Sequence, residues 1–330
     1  MRFLLFLFFS FLFHSCEPSS KSNSLRGIAL GTPFNIKHDA RLDNDTIKMG
    51  IDSILKKINK SMSTYHSDSD ISKINSGQEV QVDSFFQEVY LKASEVWKST
   101  NGAFDPTVGA WVNAYGFGPD QKFIYELTDI QSDSLLNITG WNKIYLNDEG
   151  ILSKSNKNIT LDFNALAKGY TVDVISKYLE SIGSKNYLVE IGGEISAKGL
   201  SPRSNKPWEI GIDYPKSKLS KRNIFTTYFL SNRAIATSGN YRHFRIDKKS
   251  GKKYVHTIDP RTGNPIQSEI ISTSVTANDC MTADAWATSL MVLSLNEGRK
   301  LIENDFELEA LWIVSTENGL EAIYSSGWKK

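Results

Sequence analysis

Apolar residues recur at helical spacing in several segments of the chain. In the clearest one, Leu166, Tyr170, Val174 and Tyr178 stand four residues apart, and Gly183 then ends the pattern. The same spacing predicts helices over residues 45–59, 85–100, 128–136, 165–182, 281–293 and 296–304. The segments over 45–59, 85–100 and 165–182 have an apolar side that is suited to packing against a core.

Between the helices, apolar and polar residues alternate in the manner of strands. Strands are predicted over residues 26–37, 159–163, 187–191, 194–197, 208–212, 226–230, 235–237, 254–258 and 271–277, with hairpins over 143–152 and 310–324. Helices and strands are mixed without strict strand–helix–strand alternation, which favours an α+β fold. With 330 residues, the chain is long enough for one large domain or two lobes with a sizeable core.

The junction between strand 159–163 and the helix that follows is the first place where the pattern suggests chemistry. Asp162 lies at the carboxyl end of the strand, and Asn164 is the expected N-cap of the helix. A helix N-terminus has unpaired N–H groups and a partial positive charge, which suit a phosphate. Lys168 in the first turn fits an arriving anion, although a solvated lysine on an ordinary amphipathic helix explains it equally well.

The N-terminal residues form a separate segment. A basic Arg2, an apolar run over residues 3–13 and the pair Ser15-Cys16 resemble a bacterial lipoprotein signal. The apolar run is too short to span a membrane. We therefore expect a signal peptide at 1–15, a lipidated Cys16, a flexible tether over 16–24 and a domain over 25–330. The domain would be held on a bacterial membrane, facing the periplasm or the exterior.

Charge and cysteine content narrow the possible partners. The chain has 38 basic and 37 acidic residues, so it has no electrostatic footprint for nucleic acid. Once Cys16 is lipidated, Cys280 is the remaining thiol and has no partner for an internal disulfide. A lone cysteine beside an apolar helix is most often a small core residue.

Two oxygen-bearing side chains share one face of the helix predicted over 281–293. Asp284 and Thr288 are four residues apart, so their side chains point the same way. A carboxylate and a hydroxyl are suitable ligands for Mg²⁺, whose other positions are filled by water or phosphate oxygens. The spacing alone favours the simpler alternative, in which the helix dipole stabilises Asp284 and Thr288 bonds to its own turn.

His256 is the candidate for proton transfer. It precedes a turn-rich Asp-Pro-Arg-Thr-Gly loop, and no histidine of the chain belongs to a zinc-binding pattern. A hydrogen-bonded structural histidine is an equally good interpretation. Five aromatic residues either stack on a flat ring or belong to the core: Tyr65, Phe104, Trp111, Tyr115 and Phe117. Without a Gly-x-Ser-x-Gly nucleophile motif, the set favours phosphoryl chemistry over acyl transfer.

The ordered set of segments resembles the FAD:protein FMN transferases, also called ApbE-type flavin transferases. The similar segments cover nearly the whole mature chain: residues 30–34, 62–65, 70–72, 100–107, 115–118, 161–173, 192–194, 236–239, 256–263 and 283–288. Each segment alone is weak evidence for the family, whereas the full set in this order is specific evidence.

The resemblance implies a single α+β unit of two lobes with FAD in the cleft between them. It implies that Mg²⁺ bridges the pyrophosphate, that FMN passes to a threonine hydroxyl of an acceptor protein, and that AMP leaves. The acceptor would be a membrane redox or electron-transfer subunit. Positions that match FAD contacts are Leu30, Tyr65, Ala103, Phe104, Asp105, Asp162, Lys168 and Ile258. Ala165, Asp284 and Thr288 match the metal ligands, and His256 matches the acid/base group.

Two positions depart from the family pattern. Leu30 stands where many members have methionine, and Ala287 stands where some members carry an aspartate that also touches the metal. The second change implies weaker or different metal binding. Two alternatives follow, namely Mg²⁺-dependent hydrolysis of FAD to AMP and FMN, and a non-catalytic lipoprotein that binds FAD.

Overall fold

The computed structural model describes residues 23–119, 127–215, 223–241, 244–246, 251 and 253–328. Cys16 and the predicted signal peptide lie outside the described residues. The tether was predicted to reach residue 24, but Asn23 and Ser24 already belong to the first strand, opposite His38 and Lys37. No helix of the described part is both long and apolar enough to cross a membrane.

Six of the helices in the described chain fall close to the predicted positions, whereas two short ones, over residues 70–75 and 109–114, were not predicted. The helices of the described part are α1 (Asn44–Met62), α2 (Asp70–Asn75), α3 (Ser84–Ser99), α4 (Gly109–Ala114), α5 (Asp129–Asn137), α6 (Ala167–Ser181), α7 (Cys280–Val292) and α8 (Leu295–Glu303). Polar N-cap side chains fix most of the starts; Asp279, for example, accepts a hydrogen bond from the Thr282 N–H at the start of α7.

The strands of the described chain are β1 (Asn23–Ala29), β2 (Thr32–His38), β3 (Ile144–Leu146), β4 (Leu152–Lys154), β5 (Tyr187–Ile191), β6 (Glu194–Lys198), β7 (Trp208–Asp213), β8 (Ile224–Leu230), β9 (Arg233–Gly239), β10 (Phe244–Ile246), β11 (Lys253–Val255), β12 (Ile270–Ala277), β13 (Glu309–Thr316) and β14 (Gly319–Tyr324). Eight of them form one sheet in the order β1-β2-β5-β6-β9-β12-β13-β14. All neighbours in this sheet are antiparallel. The α+β prediction is confirmed.

The two faces of the sheet belong to different cores. In β5, Val189 points to the side of α1 and α6, while Leu188 points to the side covered by the β7–β8 hairpin. In β9, Ala236 points to the side of the helices and Ile235 points to the side of the β7–β8 hairpin. This period of two is the alternation visible in the sequence. It places α6 and α7 together on one face of the sheet.

Helices α6 and α7 approach each other very closely at Gly169. A Cβ atom there would lie 2.3 Å from the Cys280 carbonyl oxygen, so no larger residue fits without movement. Asp173 holds the same junction one turn later, because its carboxylate accepts hydrogen bonds from the Cys280 and Met281 N–H groups, both at 2.8 Å. Cys280 is a free, buried thiol, which confirms its prediction as a core residue. The junction fixes α7 against the first turn of α6.

Four local predictions were wrong, namely the strands over residues 26–37, 159–163 and 254–258 and the N-cap at Asn164. Residues 26–37 form the β1–β2 hairpin instead of one bent strand, with Leu30 and Gly31 at positive φ (50° and 75°) in the turn. Residues 159–163 are extended but make only a single bridge, between Thr160 and Val108, and β11 ends before His256. Asn164 is not the N-cap of α6: the cap position is Leu166, which makes no side-chain cap bond.

Candidate active site

Lys168, Glu194 and Asp284 form a compact group of charges, called here the lysine–carboxylate cluster. The Lys168 ammonium lies 3.0 Å from Glu194 Oε1 and 3.5 Å from Asp284 Oδ2. Lys168 comes from the first turn of α6, Glu194 begins β6, and Asp284 lies on α7. Both carboxylate side chains are almost fully buried, at 4% and 3% exposure, while Lys168 is 30% exposed. The Lys168 side chain is therefore the most accessible part of the cluster.

Burial and the attraction between the charged groups act in opposite directions on the pKa values of Asp284 and Lys168. It raises the pKa of Asp284 to about 7, although the nearby Lys168 ammonium opposes the shift. Burial alone would lower the pKa of Lys168, but Asp284 and then Glu194 outweigh it and raise that pKa above its usual range. Lys168 thus stays charged at every physiological pH.

The N-terminus of α6 is not simply open to a phosphate, as the sequence suggested. The Gly169 N–H donates to Asp284 Oδ2 at 3.0 Å, so a carboxylate of the protein already uses one first-turn amide. The positive end of the helix dipole and Lys168 both favour that carboxylate. Asp284 is therefore held in place from two directions before any ligand arrives.

Thr288 lies one turn after Asp284 on α7, as predicted. Its hydroxyl is 3.2 Å from the hydroxyl of Ser238 in β9. Ala287, which lies between Asp284 and Thr288 on α7, is fully buried, and its carbonyl accepts a hydrogen bond from Thr273 at 2.7 Å. Position 287 is therefore packed in the main core and has no side-chain oxygen to add to the site.

The segment that leads into α6 is clamped from both sides. Asn75 pairs with Leu161 through two hydrogen bonds, at 2.8 and 2.9 Å, and the Asp162 N–H donates to the Pro106 carbonyl at 2.8 Å. The Asp162 carboxylate accepts the Asn164 N–H at 2.8 Å, which forms a tight turn just before Ala165. Burial raises the pKa of Asp162. These bonds carry the chain from Asp162 to Lys168 along a fixed path.

Asp105 braces a neighbouring loop. Its carboxylate accepts hydrogen bonds from the Thr107 N–H and hydroxyl, at 2.8 and 2.6 Å, and from the Trp141 N–H at 2.8 Å. Ala103 and Phe104 are buried in the main core, at 1% and 2% exposure. The side chains of this triplet therefore shape the loop, and any cofactor contact there falls mainly to the backbone.

His256 and Ile258 lie against the same loop region. His256 follows β11 directly and meets the ring of Phe117 edge-on, with 6.2 Å between ring centroids. Ile258 is buried with Trp111, Tyr115 and Tyr254 in a small core of its own. The turn after it is equally close-fitting, since a Cβ on Gly263 would lie 2.1 Å from the Trp111 ring. The His256 loop is thus packed on aromatic residues that the sequence assigned either to core or to stacking.

Leu30 and Tyr65 differ in how firmly they are held. Leu30 is partly buried against the main core, and its φ of 50° is unusual for a residue with a branched side chain. Tyr65 is 64% exposed and close enough to Asp162 for that carboxylate, after burial, to help raise its pKa. Its exposed ring leaves a flat apolar surface in reach of a planar ligand.

The predicted site residues therefore fall into two groups, joined along the chain by residues 162–168. The first group contains Asp284, Thr288 and Lys168, together with Glu194. The second group contains Asp162, Tyr65, Asp105, Ile258 and His256. Sequence reasoning gave no role to Glu194 or Ser238. The available signal was the Gly192-Gly193-Glu194 turn, because a carboxylate directly after two glycines at a strand start is held close to the backbone.

The donor set fits a magnesium ion held partly by substrate. Within the described ranges, no three His, Cys, Asp or Glu side chains converge as a protein cage for a metal. One buried carboxylate and a hydroxyl one turn away match the habit of Mg²⁺ of keeping waters and phosphate oxygens as most of its ligands. Glu194, beside this pair, has a buried carboxylate oxygen, Oε2, that makes no hydrogen bond to a described residue.

The fold is α+β, with an antiparallel sheet that carries α6 and α7 together on one face. The site sets acidic and hydroxyl side chains beside a lysine, which defines the class as an α+β protein with a charged site on these two helices. The ApbE family profile matches residues 30–312, and the chain belongs to the ApbE family. The resemblance seen in the sequence is thereby confirmed.

Individual relatives are similar over almost the whole chain. The FAD:protein FMN transferase of Vibrio cholerae is 37% identical over 324 residues, which cover 96% of this chain and 95% of that protein. The Haemophilus influenzae protein of the same name is 36% identical over 330 residues, with 96% and 93% coverage. Among solved structures, the flavin transferase ApbE from Vibrio cholerae superimposes with a TM-score of 0.83 at 36% identity, covering 93% of this chain and 97% of that one.

Proposed function

We propose that this protein transfers the FMN half of FAD to a threonine hydroxyl of an acceptor protein and releases AMP, with Mg²⁺ at Asp284 and Thr288. The observation that carries the proposal is the lysine–carboxylate cluster, in a chain whose relatives over almost its full length are named FAD:protein FMN transferases. A buried carboxylate and a hydroxyl can hold Mg²⁺, and that ion together with the Lys168 ammonium suits the charge of a pyrophosphate.

In the proposed reaction, the threonine oxygen attacks the phosphorus of the FMN half. A new P–O bond forms to threonine, and the bond between that phosphorus and the bridging oxygen breaks. AMP leaves with the bridging oxygen, and the threonine proton passes to a base. The products are a phosphoester-linked flavin and AMP, and no electrons are gained or lost.

Lys168 supplies positive charge on the accessible side of the cluster. It is held at the start of α6, so its position is set by the clamped segment from Asp162 onward. Bound Mg²⁺ would neutralise further charge on the pyrophosphate. Together these charges favour departure of AMP as an anion.

His256 is the proposed base. A threonine hydroxyl is a poor nucleophile until it loses its proton, and an imidazole exchanges protons near neutral pH. The packing of the His256 loop against Phe117 and Trp111 fixes where the imidazole stands. Tyr65 and the loop around Asp105 are proposed to contact the flavin or adenine part of FAD.

We propose in addition that Cys16 carries the lipid anchor. The basic, apolar and small-residue pattern before it supports this, and residues 25–330 would then act at a membrane surface. Replacement of Cys16 by serine should move the protein from the membrane to the soluble fraction of the cell. A Cys16→Ser protein that stays with the membrane would contradict the anchor.

The test of the function mixes the mature protein, FAD, Mg²⁺ and an acceptor that carries the target threonine. An added FMN mass on the acceptor, abolished when the threonine is changed to valine, supports transfer. Free FMN with AMP and an unmodified acceptor supports hydrolysis, and unchanged FAD supports binding without turnover. Either of the last two results contradicts the proposed transfer.

A further inference from the structure

Glu194 has a geometry that the proposed reaction does not yet use. Its Oε1 accepts the Lys168 ammonium at 3.0 Å, while its Oε2 is buried and has no hydrogen-bond partner among the described residues. A buried carboxylate oxygen without a partner is costly, and such groups persist where they have a task.

The place of Glu194 is fixed by the turn before it. Gly192 and Gly193 have φ values of 68° and 116°, and a Cβ on Gly192 would come within 3.3 Å of Glu194 Oε2 and 2.7 Å of Thr32. Glu194 also begins β6, where it pairs with Ile191 of β5. The carboxylate is therefore part of a rigid strand end, whereas Lys168 has a long and flexible side chain.

Charge balance in the cluster changes when a cation arrives. With two carboxylates and one ammonium, the cluster carries a net charge of minus one when all three are ionised, and Lys168 divides its attraction between Glu194 and Asp284. A divalent cation bound to Asp284 would repel the Lys168 ammonium, which lies 3.5 Å from Asp284 Oδ2. Lys168 and the cation thus compete for Asp284, and Glu194 is the counter-ion that Lys168 keeps.

We propose that Glu194 is a positioning residue that retains the Lys168 ammonium beside the site when a divalent cation takes Asp284. Lys168 then turns toward the pyrophosphate of FAD, with Glu194 as its pivot. This inference rests on the proposed function, since it takes Asp284 as the metal ligand and the FAD pyrophosphate as the anion.

The experiment measures Mg²⁺ binding without FAD by isothermal titration calorimetry, and FAD binding in a chelator by flavin fluorescence. In Glu194→Gln, Lys168 has only Asp284 as its counter-ion and competes harder with the cation. We expect Mg²⁺ affinity to fall about tenfold, within the range by which members of one ion-pair network affect each other. Metal-free FAD affinity should stay within about twofold of wild type, and Glu194→Asp should restore part of the Mg²⁺ affinity.

Two further variants separate positioning from other effects. Glu190→Gln is the matched control, because it removes the same charge from β5, the strand paired with β6, and Glu190 lies opposite Ile195 in that pairing. It should bind Mg²⁺ like wild type. Lys168→Met removes the competing ammonium and should raise Mg²⁺ affinity while weakening FAD binding. In that background, Glu194→Gln should change Mg²⁺ affinity less than about threefold.

The outcomes are distinct. Two results overturn the positioning role. If Mg²⁺ affinity is unchanged in Glu194→Gln, Glu194 has no effect on the cation. If a tenfold loss persists in the Lys168→Met background, Glu194 acts directly on the cation and not through Lys168. If Glu194→Gln does not fold, Lys168→Met decides alone, and unchanged Mg²⁺ affinity there overturns the inference. If wild type binds neither Mg²⁺ nor FAD, the proposed function fails and the inference fails with it.

Discussion

The close contact between α6 and α7 predicts that Gly169→Ala damages both stability and activity. The new Cβ would lie 2.3 Å from the Cys280 carbonyl oxygen and 2.9 Å from Asp284 Cβ. An ordinary contact needs about 3.5 Å, so the two helices must separate by about 1 Å. Because Cys280 contributes backbone atoms, no side-chain rotation relieves the clash.

The expected change in the free energy of unfolding follows from two opposing effects. Overpacking of this kind costs about 1–3 kcal/mol, while alanine is favoured over glycine inside a helix by at most about 1 kcal/mol. The free energy of unfolding should therefore drop by about 1–2 kcal/mol. With an unfolding entropy of about 0.6 kcal/mol/K for about 300 residues, this lowers Tm by roughly 2–3 °C. A shift of about 1 Å between Lys168 and Asp284 should reduce kcat/KM by about 10²-fold.

The assay compares Gly169→Ala with Gly298→Ala by thermal unfolding and by FMN transfer. Gly298 is a helical glycine in α8, and a Cβ there meets the flexible end of Leu290 at 2.9 Å instead of a backbone. That control should keep near wild-type activity. A Gly169→Ala protein that is as stable and as active as wild type would refute the claim that the helix contact sets the site.

Three further predictions concern single side chains. Asp284→Ala should abolish Mg²⁺-dependent turnover, and wild-type rates in a chelator would show that the metal assignment is wrong. His256→Ala should lower kcat while FAD binding, measured by fluorescence, stays nearly intact; loss of binding would make the histidine structural. Burial and Asp279 raise the pKa of Asp173 to about 7, against about 3.9 in an unfolded chain. Between these values the native state holds a proton that the unfolded state has lost, so stability should fall as pH rises from about 4 to 7. Asp173→Asn should flatten this dependence in urea midpoints at pH 5 and 8, and an unchanged slope would contradict the assigned pKa.

The sequence predicted the elements with strong periodicity and missed the turns with unusual residues. Helix α3 fell within one residue of its predicted bounds, because its buried residues follow helical spacing: Phe86, Val89, Tyr90, Ala93 and Val96. The β1–β2 turn was missed because Leu30 takes a left-handed conformation that hairpins normally give to asparagine or glycine. Asn164 was misassigned because its N–H bonds to the Asp162 side chain, a local choice that competes with capping.

The site was predictable only as far as its residues share one element. Asp284 and Thr288 lie on one helix, so their shared face followed from spacing. The contact of Lys168 with Glu194 joins residues 26 positions apart, and that with Asp284 joins α6 to α7. Such partners depend on how the sheet and helices stack, and no periodicity along the chain encodes that.

The origin of the lysine–carboxylate cluster in three separate elements has a consequence during synthesis. A growing chain that has emerged only as far as β6 holds Lys168 and Glu194, but the oxygen donors of α7 are still unmade. If the proposed chemistry holds, a ribosome-bound or truncated product is inert toward the cell's dinucleotides. The activity then switches on only when α7, near the C-terminal end of the chain, has docked against α6.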